Sequence, residues 1–532
     1  MRKLFRVKKY NELKKQNQEI DKTQEKVLEE IPYSIEGIKE KLRKIFLNSS
    51  DFVLRELITE QNQQKIMIAY IDGLSDKNML TQNILQPIMN NRQQIIQAFS
   101  KGNQEIFRYV KYDLLYSCEM EDTKDFQSSV EYILSGDTLL YIEGQQIALK
   151  LCTKGWEQRG IEQPETEMVI RGPREGFTET LRINTSMIRR IIKNPNLKFE
   201  QMMLGEQTRT DVCICYIQGI ASDVIIQTVR NRLQQIKIDA ILESGYIEEF
   251  IEDAPYSVFS TVGNSEKPDV VAGKLLEGRI AILCDGTPFV LTVPYLFIES
   301  LQSPSDYYSR SYISSFTRLL RFLSLLITIF APTLYVALLG FHLGSIPFSL
   351  LLSIAADREG VPFPAFVEAL IMIIFFELLR EAGVRMPKVV GQAVSIVGAL
   401  ILGEAAVDAG LASNLLVIVV SLMAITSFIV TPQPDGIMFI RLSLLVAANI
   451  LGFMGIILST FVFVAHMCDL KSFGVPYLSP FAPLDTMGLT DTYIRAPWWA
   501  MLKRPKVILW GNREELENRV QSTNTTLQNK SK

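Results

Sequence analysis

Residues 322–364, FLSLLITIFAPTLYVALLGFHLGSIPFSLLLSIAADREGVPFP, decide the fold class of this chain. From Phe322 to Ala356 there is no formal charge, a run longer than the roughly 20 apolar residues that cross a bilayer. Gly344-Ser345-Ile346-Pro347 breaks it, which leaves one full span and a short apolar segment, Phe348–Ala356. Then come Asp357, Arg358 and Glu359, and Pro362 and Pro364 forbid a continuous helix. Broken, charged backbone at membrane depth is tolerated only where protein buries it or water lines it. Two readings stay open: an extramembrane loop before a capped helix, or a re-entrant element bordering a conduction path.

The neighbouring segments extend the apolar region. Ala365–Leu379 is apolar apart from Glu368 and Glu377. Glu368 falls in the first turns of a helix, where its charge complements the dipole, and Glu377 can pair with Arg380. Val389–Leu411 carries Glu404 and Asp408 one turn apart, candidate intramembrane polar residues that need a polar interior, a cation or the membrane edge. Ala412–Pro434 and Leu442–Ala465 are uncharged. Gly391, Ser395, Ala399 and Gly403 form a small-residue stripe suited to close helix packing, and Ala448, Gly452, Gly455 and Ser459 do the same on the last span. Basic residues flank the region: Arg310, Arg318 and Arg321 before it, Lys471, Arg495, Lys503, Arg504 and Lys506 after it. Both flanks therefore prefer the cytoplasm, which requires an even number of crossings. Tyr307, Tyr308, Tyr312, Phe316, Trp498 and Trp499 read as interfacial anchors. The basic start lacks an apolar h-region, so the soluble part is expected to stay cytoplasmic.

Composition agrees with this segregation. The chain has 532 residues, 48% hydrophobic and 21% charged, with a mean hydropathy of +0.14. A net charge of −3 argues against nucleic acid as the partner. The six cysteines include no CxxC pair, and Cys213 and Cys215 share one face of an apolar strand, which suits reduced core thiols. Only His342 and His466 exist, so a histidine-based metal site or triad is close to excluded. Neither a Walker lysine loop nor a GxGxxG after a strand is present. No enzyme, catalytic residue, metal or cofactor is expected.

The soluble part alternates strand and helix patterns. Lys65–Ile71, Thr138–Ile142, Gln146–Leu151, Met168–Ile170, Phe199–Leu204, Val212–Ile217, Arg279–Leu283 and Phe289–Val293 read as strands, and Met79–Met89, Phe126–Leu134 and Val224–Ile236 as helices. Arg171-Gly-Pro-Arg174-Glu-Gly-Phe177 is either an anion-binding loop or a turn whose arginines meet neighbouring carboxylates. The expected fold is a two-lobed α/β cytoplasmic N-terminal region followed by a polytopic α-helical membrane domain of four to six membrane segments. Its divisions are a charged flexible tail (1–33), a first α/β lobe (34–156), a second α/β lobe (157–305), a helical transmembrane domain (306–467) and a cytoplasmic C-terminal tail (468–532).

With those motifs in place, the chain resembles the A subunit of spore germinant receptors, the GerA family of endospore-forming bacteria. The likeness rests on strings in a fixed order, among them IRGPREGFTETLRINTSMIRRIIKNP (170–195), LLEGRIAILCDGTPFVLTVP (275–294), IAADREGVPFPAFVEAL (354–370), GQAVSIVGALILGEAAVDAGLAS (391–413) and SFGVPYLSPFAPLD (472–485). One departure is Ser265-Glu266-Lys267-Pro268-Asp269, where the family usually has Glu-Arg-Pro-Asp; a lysine replaces a fork-like arginine. The resemblance implies a spore inner-membrane complex with a transporter-like, germinant-binding B subunit and a lipoprotein C subunit. It also implies a homo-oligomeric ring of A subunits that conducts ions from the spore core, in contact with membrane lipid. On that reading Pro362, Phe363, Pro364, Glu368 and Glu377 are candidate pore or gate residues. A secondary transporter, a non-conducting scaffold of the complex and a paralogous stage V sporulation channel subunit are the alternatives.

Overall fold

In the first half of the chain, α1 (Ile35–Ile45) buries Ile35, Ile38 and Leu42 on one stripe against a sheet. The sheet comprises β1 (Phe52–Ile58), β2 (Lys65–Ile71), β3 (Met120–Thr123), β4 (Thr138–Ile142) and β5 (Ala148–Leu151), in the order β1-β2-β4-β5-β3. Short helices through residues 77–114 cover its other face, and α2 (Phe126–Leu134) packs beside α1. The computed structural model describes residues 29–58, 65–115, 119–155, 164, 167, 171–385, 403–429, 434–485 and 488–501. The expected strand Met168–Ile170 lies outside them.

The same plan follows a second time. It runs α3 (Leu181–Ile191), β6 (Leu197–Leu204), β7 (Thr210–Ile217), α4 (Asp223–Gln235), α5 (Ser244–Ile251), β8 (Gly263–Ser265), α6 (Pro268–Leu276), β9 (Ile280–Cys284) and β10 (Val290–Val293). The strand order β6-β7-β9-β10-β8 repeats that of the first sheet position by position. Turn glycines mark the repeat: Gly73 and Gly219 end AYIDG and CYIQG with φ of 92° and 85°, and Gly144 and Gly286 close the matching hairpins at 80° and 89°. Every paired neighbour in both sheets is antiparallel. The helix–strand alternation therefore reflects hairpins separated by helices, not parallel crossover units.

A buried ion pair joins the two halves. Arg189 of α3 donates to both carboxylate oxygens of Asp51, at 2.8 and 2.9 Å, and also to the Asn194 and Leu197 carbonyls. Both partners are almost fully buried. Beside them, Ser50 N and Phe199 N exchange backbone bonds with Phe199 O and Asn48 O, and Lys198 Nζ donates to Ile45 O. Burial, then the Arg189 charge, lowers the Lys198 ammonium to about 8.

Beyond the second sheet lies an apolar helical bundle. It contains α7 (Ser311–Phe341), α8 (Phe348–Arg358), α9 (Ala365–Arg385), α10 (Asn414–Ser427), α11 (Pro434–Leu451) and α12 (Phe453–Asp469). By length and composition α7 can cross a membrane; α10, α12 and the Gly436–Leu451 part of α11 are shorter apolar helices. The break at residues 342–347 falls where Gly344 and Pro347 put it. Leu442–Ala465, read from sequence as one span, is two helices. Gly452, at φ 58°, turns the chain between them against Phe341 and His342, where a Cβ would lie 2.9 Å from Phe341 Cβ. The base of α11 sits on the second sheet half through Gly436, where a Cβ would collide with Val258 O. At the foot of α12, His466 Nε2 meets Ser257 Oγ at 2.9 Å. Hence α11 and α12 form a hairpin that leaves the base, turns beside the end of α7 and returns. The small residues Ala448 and Gly455 belong to its two arms.

The base of α7 is held by charge. Asp306 accepts from Arg318 and Arg321, and Arg318 also reaches Asp491 at 2.8 Å. Burial opposes ionisation of Asp306, yet the two guanidiniums hold its carboxyl below the usual range. Residues 311–321 continue the long helix, and Tyr307 packs against Trp498, ring centroids 5.8 Å apart. After α12 the chain folds back on the second sheet half: Ser472 Oγ donates to Thr261 O at 2.6 Å and accepts from Tyr295 N at 2.9 Å.

Two predictions follow from these contacts. Asp51→Ala leaves Arg189 buried without its counter-charge and should destabilise the full chain by about 3–5 kcal/mol. Asp122→Ala, at an exposed pair with Lys111, should change stability by less than about 1 kcal/mol. Calorimetric unfolding in detergent compares the two. The second concerns Glu248 of α5, which faces Glu252, Glu243, Ser260 and Asn264; burial first, then the Glu252 charge, raises its carboxyl from 4.5 to about 7. The folded state keeps a proton that the unfolded chain has released, so stability should fall as pH rises through that window. The loss between pH 5 and 8 should reach about 2–3 kcal/mol and shrink in Glu248→Gln. An equal loss in both proteins would contradict the assignment.

Candidate functional site

The bend at 359–364 is built from residues that cannot extend a helix, and its flanks are tied to a second turn. Asp357, at the end of α8, accepts from Asn414 Nδ2 at 2.5 Å and from Leu415 N at 3.2 Å. These donors belong to the first turn of α10, whose unpaired amides favour an anion. Gly410, at φ 69°, lets the 409–413 turn approach Gly360 so closely that an ideal Cβ would meet Gly360 O at 2.7 Å. Arg358 Nη2 donates to Phe363 O at 3.2 Å and lies 3.4 Å from Glu368 Oε2.

Glu368 is the centre of this arrangement. Its carboxylate is fully buried and accepts from both Ser413 N and Ser413 Oγ at 2.6 Å. Tyr335 OH lies 3.5 Å from it and 2.9 Å from Ser413 Oγ. Ser413 in turn caps α10 by accepting from Leu416 N. Glu368 therefore serves the dipole of α10, rather than only that of its own helix. Tyr335, Ser413 and Asn414 were missed by sequence reasoning, because hydroxyls and amides in apolar segments have no distinctive spacing.

Glu377 lies 2.9 Å from Arg380 and also pairs with Arg441 of α11. Arg441 is buried, and its second nitrogen points at Met423 Sδ of α10. This pair ties three helices together, while Thr328 Oγ1 donates to Thr426 Oγ1 between α7 and α10 at 2.9 Å. Pro362 and Pro364 are exposed and Phe363 half-buried. Glu404 and Asp408 lie exposed in the helical residues 403–408, next to the same turn; Gly403 contacts Val417 at 3.7 Å measured from an ideal Cβ. Gly391, Ser395 and Ala399 lie outside the described residues.

In the second sheet half, Lys267 is fully buried, donates to Pro173 O at 2.7 Å, within the Arg171–Phe177 stretch, and pairs with Asp269 at 3.3 Å. Arg171 and Arg174 are exposed, and Glu175 pairs with Arg190. Among the described residues no group of three or more His, Cys, Asp or Glu side chains converges to hold a metal ion.

Removing one partner of the Glu377–Arg441 pair strands the other charge, so Glu377→Ala should destabilise by about 3–5 kcal/mol. Adding Arg441→Met should recover at least about half of that loss. Unfolding midpoints of the two single variants and the double variant measure the coupling, and strictly additive losses would count against it.

Residues 40–507 match the family model of the Bacillus/Clostridium GerA spore germination protein. Spore germination protein KA of Bacillus subtilis is 46% identical over 465 residues, 87% of this chain and 84% of that one. Uncharacterized membrane protein YfkQ of the same organism is 42% identical over 90% of this chain and 92% of its own length. The crystal structure of the N-terminal domain of the A subunit of the Bacillus megaterium spore germinant receptor GerK3 aligns with a TM-score of 0.40 and 35% identity, over 51% of this chain and 99% of that chain. Matched over most of its length, the chain belongs to the GerA family of spore germination proteins.

Proposed function

We propose that this protein is the A subunit of a nutrient germinant receptor and contributes an ion-conducting pore in the spore inner membrane. Several copies form a ring, with a transporter-like B subunit and a lipoprotein C subunit as partners. The observation that carries the conduction reading is the two-proline bend. It sets Asp357, Arg358 and Glu368 within a mainly apolar bundle, and charge there is tolerated only beside protein partners or water. Glu368 and Glu377 shape the wall from behind through their ion pairs, and the exposed Pro362 and Pro364 flank the half-buried Phe363 ring on its face.

Two further features support a membrane setting. Leu323, Leu326 and Leu334 on α7, Ile418, Leu422 and Ile425 on α10, and Ile457, Phe461 and Val464 on α12 are exposed, which suits lipid and not water. The chain enters the bundle at α7 from the second sheet half and, after α12, returns to it through Ser472. An even number of crossings, with both sheets in the cytoplasm, satisfies that return and the basic flanks alike.

The test is single-channel recording from the purified oligomer in planar bilayers. Phe363→Ala should raise unitary conductance by about twofold or more, since removing an aromatic ring widens a constriction lined by it. Conductance and ion selectivity unaltered in Phe363→Ala, Pro362→Ala and Pro364→Ala alike would remove the bend from the permeation path.

A further inference from the structure

We infer that α8 is a mobile gate strap, and that the Asp357–Asn414 and Arg358–Glu368 contacts are the latch that holds it. The inference deepens the pore reading above and rests on it only for the consequence for ion flow.

The strap itself is unusual in this bundle. Over 11 residues α8 buries one side chain, Ile354, while Phe348, Leu350 and Leu352 are 73%, 49% and 55% exposed. A helix this short has little stability of its own and depends on what it is tied to. Both of its ends are hinges. At the N-terminal end lie the Leu343–Ser345 turn and Pro347; at the C-terminal end lie Gly360, Pro362 and Pro364. A Cβ at Gly344 or Gly360 would meet no neighbouring atom, so side-chain space is open at both ends, while the Gly360 carbonyl stays packed on Gly410 and moves only with that turn.

Polar contacts therefore carry the attachment. Asp357 fastens the last turn of α8 to the first turn of α10 through Asn414 Nδ2 and Leu415 N. Arg358 fastens the next residue to the bend carbonyl of Phe363 and to Glu368, which is itself fixed by Ser413. The Asp357 contact is solvent-exposed in the single chain whereas Glu368 is fully buried. The Asp357 contact can thus break without stranding a buried charge, and release of Arg358 leaves Glu368 with its two Ser413 donors, so both contacts can open as one latch. Such an arrangement has two accessible positions for one element, as a gate requires.

The experiment uses the full chain in lipid nanodiscs with Cys118, Cys152 and Cys468 replaced by serine, the other three cysteines being buried. Nitroxides at Ser353→Cys on α8 and Ile418→Cys on α10 report their separation by pulsed EPR, with labelled chain diluted in unlabelled chain. Asp357→Ala and Arg358→Ala should broaden a narrow distance distribution. The exchanged pair Asp357→Asn with Asn414→Asp, which keeps a bond across the same gap, should narrow it again. That rescue separates a broken latch from a misfolded bundle. The same variants in potassium-loaded vesicles should leak at least about tenfold faster when the latch is open, which corresponds to about 1.4 kcal/mol in the closed–open balance. A broad distribution with unchanged leak would keep the latch and overturn the conduction reading. A distribution that stays narrow in both single variants would overturn the latch, whatever the leak.

Discussion

A carboxylate removed from water inside an apolar bundle must be given donors, and the geometry around Glu368 is what that requirement produces. Desolvation of an unpaired charge costs several kcal/mol, more than any one packing contact returns. Ser413 supplies an amide and a hydroxyl, Arg358 a guanidinium and Tyr335 a phenol, each from a different segment. Satisfying one charge therefore fixes the register of α7, the 409–413 turn, the two-proline bend and α9 at once. Glu377 repeats the strategy one helix further, with Arg441. In a lipid setting, where apolar faces gain nothing by meeting each other rather than lipid, such polar ties are what can define a unique arrangement.

The two sheets solve a different problem with the same economy of parts. Two copies of one plan meet through Asp51 and Arg189, and the second copy is continuous with the bundle base through Val258, Ser257 and Ser472. A displacement in the second sheet half is thus applied directly to the feet of α11 and α12. At the other end of that hairpin Gly452 abuts Phe341 and His342, and the His342 and Phe453 rings stack 4.3 Å apart. Rigid helices with packed ends transmit such a displacement over the length of the bundle, because close-packed interiors shift as units rather than deform.

How much of this was legible in the sequence depends on the range of the signal. Apolar runs bounded by turn signals located β2 and β4 to the residue, and the 3.6 period located α2, because both kinds of signal are local to a few residues. The break after α7 and the bend at Pro362–Pro364 were legible too, since proline removes a donor wherever it stands. What stayed hidden was relational. The antiparallel order of both sheets and their repetition are carried by a few turn glycines at similar spacing, not by matching side chains. Gly452 was read as one of a packing stripe because nothing in a one-dimensional pattern distinguishes a glycine that allows close approach from one that reverses the chain. Ser413, Tyr335 and Arg441 acquire their roles only from partners tens of residues away.

The placement of the two carboxylates also limits what the bend can do. Glu368 and Glu377 project from one helix, yet each points at a cation within the same chain, Arg358 and Arg441 respectively. A pore wall that used them as bare charges would have to dissolve those pairs, stranding the buried Arg441 guanidinium in one case and removing a counter-charge from the buried Glu368 in the other. The exposed residues of the bend carry no such obligation: Pro362 and Pro364 lack both charge and an amide hydrogen, and Phe363 contributes a ring. The bend therefore suits an apolar constriction that opens by movement, and discrimination between ions would have to come from another ring of groups along the path.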